Sequence, residues 1–340
     1  MTDEVTTVLG PVAAQKLGHV QPHEHLLSDI RRYLLEAGPI LDAPITLDNY
    51  FESRVDRNNA MDFVLDDVDT AVAELALFAE AGGGTVVDVT PAGAGRDPLA
   101  LRAIAERTGV HVVMGSGYYI AAFHPPEVAT LSEAEITEQI VTDLCVGVDA
   151  TGVRAGVIGE IGMSWPPHPD EEKVLRAAAA AQRDTDAALF VHPGRHAEAP
   201  AHHLRLLRDS GANLERTVMC HIDRTLFDLD AMLAVADTGC VLEFDLFGTE
   251  SSYYPQDPSV DLPNDGMRVG YLTALIAAGH GDHLVISEDV CRKTQLVRHG
   301  GEGYAHILRR VLPLMGARGV SPDDIHRITR TTPARLLAKE

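Results

Sequence analysis

Two histidines lie two residues apart in the stretch GHVQPHEHLLSD at residues 18–29, just past a short apolar run. If the backbone there is extended, the side chains of His23 and His25 point to the same face, so both imidazoles converge on one point. Converging imidazoles are typical ligands of transition metals. Because an isolated pair of this kind is more often structural, its interpretation depends on what else lies beside it.

Four further side chains that can bind a metal follow other short runs rich in β-branched residues: Glu160, His192, His221 and Asp289. Taken singly, each could be a hydrogen-bonded histidine or a loop-anchoring carboxylate. Together with the first pair they would form a costly polar cluster unless a cation binds there. Such a set exceeds the needs of one tetrahedral zinc and suits two divalent ions about 3.5–4 Å apart that share a carboxylate. Glu160 is the expected shared ligand, because it stands between the two pairs of histidines in chain order.

The elements that must position these groups alternate along most of the chain. Short β-branched runs predict eight strands, with the sequences GHVQPHEH, TVVDVTP, VHVVMGSG, AGVIGEIG, ALFVHPG, TVMCHID, VLEFDLFG and HLVISED. Ala- and Leu-rich stretches of helical period lie between them, for example at residues 70–81, 172–184 and 201–209. This alternation predicts an α/β fold, a (β/α)8 TIM barrel, whose active site lies at the C-terminal ends of the strands. All six candidate ligands fall on that rim.

A two-domain, doubly wound arrangement is the rival interpretation. No linker rich in Gly, Ser or Pro divides the 340 residues, and no GxGxxG motif follows the first strand. We therefore predict one barrel domain over residues 1–340, with a short N-terminal strand extension. Two long polar loops, at residues 247–267 and 290–304, are expected to be functional.

Charge and composition narrow the class of partner. The formal net charge of −22 argues against nucleic acid or an anionic membrane surface. The acidic N-terminal stretch MTDEVTTVLG differs from a signal peptide, and no uncharged apolar run reaches membrane-spanning length. The four cysteines show no CxxC spacing, so neither a disulfide framework nor a zinc-thiolate site is indicated. We expect a cytoplasmic protein that acts on a small molecule.

Cations nevertheless gather on the predicted mouth of the barrel. Arg195 follows His192 and Arg224 follows His221, and an arginine fork can clamp an anionic group of a substrate. The alternative is that these arginines pair with loop carboxylates, and for the cations of residues 290–304 we favour that alternative. Trp165, the only tryptophan, follows the fourth strand and either forms a wall of the pocket or serves for packing alone.

Several spaced motifs resemble those of a known family. They are HEHL at residues 23–26, GVIGEIGMSWP at 156–166, VHPGR at 191–195, TVMCHIDRTLFD at 217–228, DLFGTE at 245–250 and GGEGYAHIL at 300–308. With them the chain resembles the phosphotriesterase family of the amidohydrolase superfamily, and in particular its phosphotriesterase-related (phosphotriesterase homology) branch. The resemblance extends over nearly the whole chain. It implies that His23, His25 and Asp289 bind one ion, while His192 and His221 bind its neighbour.

Three positions refine what the resemblance implies. The phosphotriesterases proper bridge the metals with a carboxylated lysine, whereas Glu160 occupies that position here, as in the homology branch. This departure argues against reading phosphotriester cleavage from the family name. Tyr119 matches a tyrosine that related lactonases place near the bridging hydroxide. Leu246 stands where those lactonases carry an arginine, which disfavours a long-chain lactonase.

The expected enzyme is a binuclear metallohydrolase in which a metal-bridging hydroxide cleaves a small amide, ester or lactone bearing an anionic group. By resemblance, a short N-acyl amino acid or amino sulfonate is a specific version of this substrate. Asp289 is expected to move the proton to the leaving group, and Asp223 either passes the proton outward, orients Arg224 or anchors a loop. Zinc is the expected metal, with Mn, Co, Ni or Fe as other options, and family members are often homodimers. The alternatives are a phosphoester hydrolase on the same site and a catalytically inactive binding protein on this scaffold.

Overall fold

A computed structural model describes residues 3–34, 40–252 and 254–338. Its strands form an antiparallel N-terminal hairpin, a parallel sheet and a small antiparallel pair. In chain order they are β1 (Glu4–Thr7), β2 (Gly10–Ala13), β3 (His19–Glu24), β4 (Ser28–Asp29), β5 (Val64–Leu65), β6 (Gly83–Asp88), β7 (His111–Ser116), β8 (Val157–Gly162), β9 (Leu189–His192), β10 (Thr217–Met219), β11 (Val241–Phe244) and β12 (Leu284–Ile286).

The parallel sheet forms the barrel. Within the described residues it has eight strands in the order β3-β6-β7-β8-β9-β10-β11-β12, which is the order of the chain. Its two ends meet, because the backbone N–H of Asp289 donates to the carbonyl of His23 at 3.3 Å and the N–H of His23 donates to Ser287 Oγ at 3.0 Å. Each predicted strand overlaps one observed barrel strand, and the predicted (β/α)8 fold is confirmed.

The strands are buried on both faces, as expected of a parallel sheet covered by helices. Alternate residues separate into two apolar clusters: Val87, Val113 and Phe190 face the barrel interior, whereas Val86 and Val112 pack between the strands and the helices. This period of two fixes which side chains can reach the interior, because successive side chains of a strand point to opposite faces.

The helices cover the outside of the barrel. Their bounds are α1 (Tyr50–Asp56), α2 (Val68–Glu80), α3 (Pro98–Thr108), α4 (Glu133–Cys145), α5 (Pro169–Thr185), α6 (Ala199–Asp209), α7 (Leu229–Ala236), α8 (Asp265–Ala277), α9 (Leu312–Ala317), α10 (Pro322–His326) and α11 (Thr332–Leu337). The three helices predicted from the sequence correspond to α2, α5 and α6, with ends that differ by at most three residues. In the part of the chain that the structure describes, no helix is long and apolar enough to cross a membrane.

Long loops at the C-terminal ends of the strands surround the mouth. The two predicted loops are present: one joins β11 to α8, and the other leaves β12 and contains the 3-10 turns Lys293–Gln295 and Val297–His299. A third long connection, between β3 and β6, was not singled out from the sequence. It carries β4, α1 and β5, and it supplies part of the cavity wall described below.

Candidate metal centre and cavity

The structure brings the six predicted ligands together at one end of the barrel. They come from the C-terminal ends of β3, β8, β9, β10 and β12, or from the residues just after those ends. Five of the side chains are at most 6% exposed, whereas that of Asp289 is 21% exposed and faces the cavity. The burial of so many polar groups at one point requires a compensating interaction.

Glu160 lies at the centre of the cluster. Its Oε2 atom is 2.8 Å from His192 Nδ1 and 3.4 Å from His221 Nε2. The same oxygen is 3.6 Å from His23 Nε2, and Oε1 is 3.6 Å from His25 Nε2. One carboxylate therefore contacts all four imidazoles.

A glycine places Glu160 in this position. Gly159 has a φ of +115°, and a Cβ atom added there would overlap the carbonyl oxygen of Phe190 on the neighbouring strand β9. Only glycine tolerates both the backbone conformation and the close approach. In the GE dipeptide of GVIGEIG, the backbone therefore requires the glycine, and the glutamate supplies the carboxylate.

Three of the histidines are held by hydrogen bonds at Nδ1. His23 Nδ1 is 2.9 Å from Glu243 Oε2, and His221 Nδ1 is 2.7 Å from Asp245 Oδ1. His25 Nδ1 is 2.8 Å from Thr90 Oγ1, whose own hydroxyl donates to the carbonyl of Leu27. Because these partners are acceptors, we assign the ring proton to Nδ1, which leaves the Nε2 lone pair directed into the cluster.

Those lone pairs face carboxylate oxygens. His25 Nε2 is 3.4 Å and His23 Nε2 is 4.0 Å from Asp289 Oδ1, and both also face Glu160. His23 Nε2 is buried without a hydrogen-bond partner. Acceptors that face acceptors across such distances fit a bound cation. The side chains present are therefore those that a divalent metal centre needs.

The ionisation of the cluster agrees with this fit. Burial raises the pKa of Glu160 to about 7, so a carboxylate there requires nearby positive charge. Burial, together with the guanidinium of Arg224, holds the pKa values of His192 and His221 well below their ordinary value, so both rings are neutral. Neutral imidazoles and an ionised carboxylate are the forms that bind metal.

His23 differs, because carboxylates surround its Nδ1 edge. Burial acts to lower its pKa, but Cys220 and the carboxylates of Glu243 and Asp245 raise the pKa well above the ordinary value. The surroundings of this ring therefore favour a positive charge on it, which either a proton or a metal ion at Nε2 supplies.

His192 is linked to an arginine as well as to the cluster. Its Nδ1 faces Glu160 and lies 2.8 Å from His221 Nε2, while its Nε2 lies 3.1 Å from Arg224 Nη2. Donation from Arg224 requires an unprotonated Nε2 and so places the ring proton on Nδ1. Ligation of a metal through Nδ1 would move that proton to Nε2 and leave the carbonyl of Pro193, 3.2 Å away, as the acceptor for Arg224.

A cavity of about 710 Å³, its open mouth included, lies above the cluster. Three residues singled out in the sequence line it: Tyr119, Arg195 and Arg224. Tyr119 Oη is 3.2 Å from His192 Nδ1 and 2.6 Å from Tyr33 Oη, so this phenol lies beside the cluster.

Two predicted residues have surroundings that favour the structural alternatives. Asp223 is fully buried, and its Oδ2 accepts from Arg268 Nε at 2.6 Å and from the N–H of Leu246 at 3.1 Å, which anchors the loop after β11. Trp165 stacks on His196 at a centroid distance of 4.9 Å and is not among the described residues that line the cavity. Neither contact places these side chains against the ligand cluster.

Sequence reasoning missed residues of two kinds. Glu243 and Asp245, which hold His23 and His221, had a local signal, since they are carboxylates at i and i+2 in the otherwise apolar run VLEFDLFG. Arg57 and Tyr254, which line the cavity, had none. They come from long loops whose path no local period predicts.

The chain is similar to known proteins over nearly its whole length. A model of the phosphotriesterase family matches residues 3–337. N-acetyltaurine hydrolase of Xenopus tropicalis is 37% identical over 343 residues, which cover 99% of this chain and 98% of that protein.

Two crystal structures show the same fold. A resiniferatoxin-binding protein from Rhodobacter sphaeroides superposes with a TM-score of 0.94 at 37% identity, covering 98% of this chain and 95% of that one. The phosphotriesterase homology protein from Escherichia coli, which is complexed with phosphate in its active site, gives a TM-score of 0.79 at 29% identity and covers 95% of this chain and 99% of that one.

Proposed function

Because the chain belongs to the phosphotriesterase family, we propose that it is a binuclear metal-dependent hydrolase of a small amide, ester or lactone that carries an anionic group. The observation that carries this proposal is the position of Glu160, whose one carboxylate contacts four imidazoles at the floor of an open cavity. A carboxylate shared between two pairs of imidazoles suits a two-metal hydrolytic site.

The six ligands divide into two sets. His23, His25 and Asp289 offer one ligand atom each within 4.8 Å of one another and would hold the first ion. His192 and His221, whose facing nitrogens are 2.8 Å apart, would hold the second, with Glu160 between the two. Bound divalent ions would lower the pKa of a water molecule and polarise the oxygen of the scissile carbonyl.

Asp289 is the group that we assign to proton transfer. Burial acts to raise its pKa, but the contact with His25 and the neighbouring positive charges hold the pKa below the ordinary value, so the side chain is an ionised acceptor. It is also the most exposed of the six candidate ligands. It can therefore accept a proton from the attacking water and deliver it to the amine or alkoxide that leaves.

The arginines support an anionic substrate. In the described part of the chain, no carboxylate oxygen lies within 4 Å of the side-chain nitrogens of Arg195 or Arg224, although both line the cavity. A guanidinium group without a carboxylate partner suits a substrate anion. The hydrolysis of N-acetyltaurine, an amide with a sulfonate group, is accordingly the first activity to test.

Two other functions use the same cavity. Phosphoester hydrolysis is favoured by the phosphate in the active site of the Escherichia coli homology protein. Ligand binding without catalysis is favoured by the Rhodobacter sphaeroides protein, which is described as a resiniferatoxin-binding protein. The presence of a full set of ligand side chains and of an acceptor at Asp289 favours hydrolysis over binding alone.

Metal content and turnover test the proposal together. We expect about two transition-metal ions per chain by mass spectrometry in the purified protein. Glu160→Gln and His23→Asn should each lower the metal content. They should also lower kcat/KM for the hydrolysis of N-acetyltaurine by at least about a hundredfold. Glu172→Gln, which changes a carboxylate on the outer helix α5, is the matched control and should alter neither.

The result that contradicts the proposal is one ion or none per chain, unchanged by either substitution. If metal is present and the chain cleaves phosphoesters while leaving amides, esters and lactones intact, the phosphoester alternative replaces ours. We further propose zinc as the native metal, a cytoplasmic location and a homodimer. Metal analysis of protein expressed in minimal medium, cell fractionation and light scattering are the respective measurements.

A further inference from the structure

Two arginines and a tyrosine form a distinct part of the cavity wall. Arg57 directly follows α1, Arg195 lies in the loop after β9, and Tyr254 lies in the loop after β11. Arg195 Nε donates to Tyr254 Oη at 2.9 Å. The guanidinium carbons of Arg57 and Arg195 lie 4.9 Å and 5.6 Å from the centroid of the Tyr254 ring, so two cations share one aromatic ring.

Neither of these two cations has a carboxylate partner in the described chain. Among the described residues, no carboxylate oxygen lies within 4 Å of the side-chain nitrogens of Arg57 or Arg195, and their hydrogen-bond partners are the neutral side chains of Gln256 and Tyr254. The nearby Arg54 does have a carboxylate partner, because it pairs with Glu302 at 2.6 Å. Neighbouring cations in a partly enclosed site repel each other, and each has lost hydration.

The pKa of Arg57 reflects its burial near other cations. Burial, together with the charges of Arg292 and Arg195, lowers the pKa of Arg57 to about 10. The group is still protonated at neutral pH, but it is held at an energetic cost that a bound anion would relieve.

The hydrogen-bond donors of the group are available to a ligand. Arg57 uses Nη1 for Gln256 and Arg195 uses Nε for Tyr254, and within the described chain the other guanidinium nitrogens of the two residues have no hydrogen-bond acceptor. Tyr254 Oη accepts from Arg195, so its own proton can be donated to a third atom. Three donor groups that converge on a cavity match an oxyanion.

The subsite is separate from the metal-ligand cluster but near it. Arg195 lies over the ring of Tyr33 at 5.5 Å, and Tyr33 is hydrogen-bonded to Tyr119, which contacts His192. Arg224 instead contacts His192 directly. The two predicted substrate-binding arginines therefore face different parts of the cavity.

We propose that Arg57, Arg195 and Tyr254 bind the anionic group of the substrate, a sulfonate or carboxylate, while Arg224 faces the bond that is cleaved. This inference rests on the proposed function. It adds Arg57 and Tyr254 as residues that determine specificity, and it defines the substrate class as a short molecule with an oxyanion at one end and an amide or ester at the other.

Binding of a ligand that cannot be hydrolysed tests the subsite. The probe is the methyl-ketone analogue of N-acetyltaurine, in which CH₂ replaces NH, and its neutral partner ends in a methyl group instead of the sulfonate. By isothermal titration calorimetry on the metal-loaded protein, Arg57→Gln should weaken binding of the sulfonate at least about tenfold. Tyr254→Phe, which removes one donor, should weaken it by a smaller factor, and Arg57→Lys should fall between wild type and Arg57→Gln.

The controls separate recognition from stability. Arg54→Gln, in the same helix but paired with Glu302 and absent from the described lining of the cavity, should leave both dissociation constants unchanged. Binding of the neutral ketone should be the same in wild type and Arg57→Gln. If Arg57→Gln does not fold, Tyr254→Phe and Arg57→Lys carry the test.

Three results would overturn the subsite: no binding of the sulfonate to the wild-type protein, equal binding in wild type, Arg57→Gln and Tyr254→Phe, or equal loss of the sulfonate and the neutral ketone. The measurement does not depend on turnover. If the sulfonate binds through Arg57 but no amide, ester or lactone is cleaved, the subsite stands and the proposed hydrolase function fails. If amides are cleaved but the Arg57 variants bind the sulfonate as the wild type does, the hydrolase function stands and the subsite fails.

Discussion

The imidazole of His23 illustrates how one residue connects the interior of the barrel to the cavity. Its Nδ1 faces Glu243 at 2.9 Å and its Nε2 faces Glu160 and Asp289. A carboxylate behind a ligating histidine fixes the ring orientation and makes the other nitrogen a stronger donor to a metal. Glu243 is therefore expected to affect metal affinity although it does not reach the cavity.

At the residue scale, we predict that Glu243→Gln weakens metal binding about tenfold and Glu243→Ala about a hundredfold, because the first removes only the charge whereas the second also removes the acceptor. Competition with a chromogenic chelator measures the affinity. Glu74→Gln, at a carboxylate that is also buried but accepts from the backbone of residues 297 and 298, serves as the control. An unchanged affinity in Glu243→Ala would show that this contact does not support the site.

At the scale of the element, the ends of five barrel strands set the directions of the ligands. Strand β8 shows this most clearly, since Gly159 approaches the backbone of β9 and the next residue is Glu160. His221 and Asp289 have φ values of +54° and +46°, which non-glycine residues adopt rarely. Unusual backbone conformations thus occur where the chain leaves β10 and β12 and carries a ligand.

We predict that Gly159→Ala lowers the free energy of unfolding by roughly 2 kcal/mol or more, because the methyl group overlaps the carbonyl of Phe190 at a positive φ. Metal content should fall with it, since Glu160 would shift. Urea denaturation and metal analysis are the measurements. Gly316→Ala, in α9 with open space around its Cβ position, should instead keep or raise stability. Equal effects of the two substitutions would refute the argument for Gly159.

At the scale of the whole molecule, the ligand cluster joins parts of the barrel that are far apart in sequence. His23 lies in the first barrel strand and Asp289 follows the last, so ions bound there would connect the strands on the two sides of the seam. Without a cation, the cluster holds buried carboxylates, and burial raises the pKa of Glu160 to about 7. Metal binding and global stability should therefore be coupled.

We predict that removal of metal by a chelator lowers the melting temperature by about 5–10 °C, since two ions at a hundredfold excess over their dissociation constants each contribute about 2.7 kcal/mol. Differential scanning calorimetry with and without chelator measures the change, and added zinc should reverse it. The same chelator should not change the melting temperature of Glu160→Gln, which lacks the bridging ligand. A melting temperature that does not respond to chelation would argue against metal in the native cluster.

Periodicity in the sequence determined the strands and the residues at their ends. Short β-branched runs that alternate with helical stretches were enough to predict the barrel, and the positions of five ligands at the ends of those runs predicted their convergence: His23, His25, Glu160, His192 and Asp289. These features are local, because the direction of a side chain in a strand depends only on its position along that strand. The placement of His221 followed in the same way.

Only the tertiary structure decided which loop side chains meet over the cluster. Arg57 approaches Tyr254 from a loop nearly 200 residues away in sequence, and Arg268 rather than Arg224 pairs with Asp223. Loops have no repeating pattern that fixes the direction of a side chain, so their contacts depend on packing between distant segments. The sequence therefore predicted the chemistry of the cavity floor, whereas the walls that select a substrate required the folded chain.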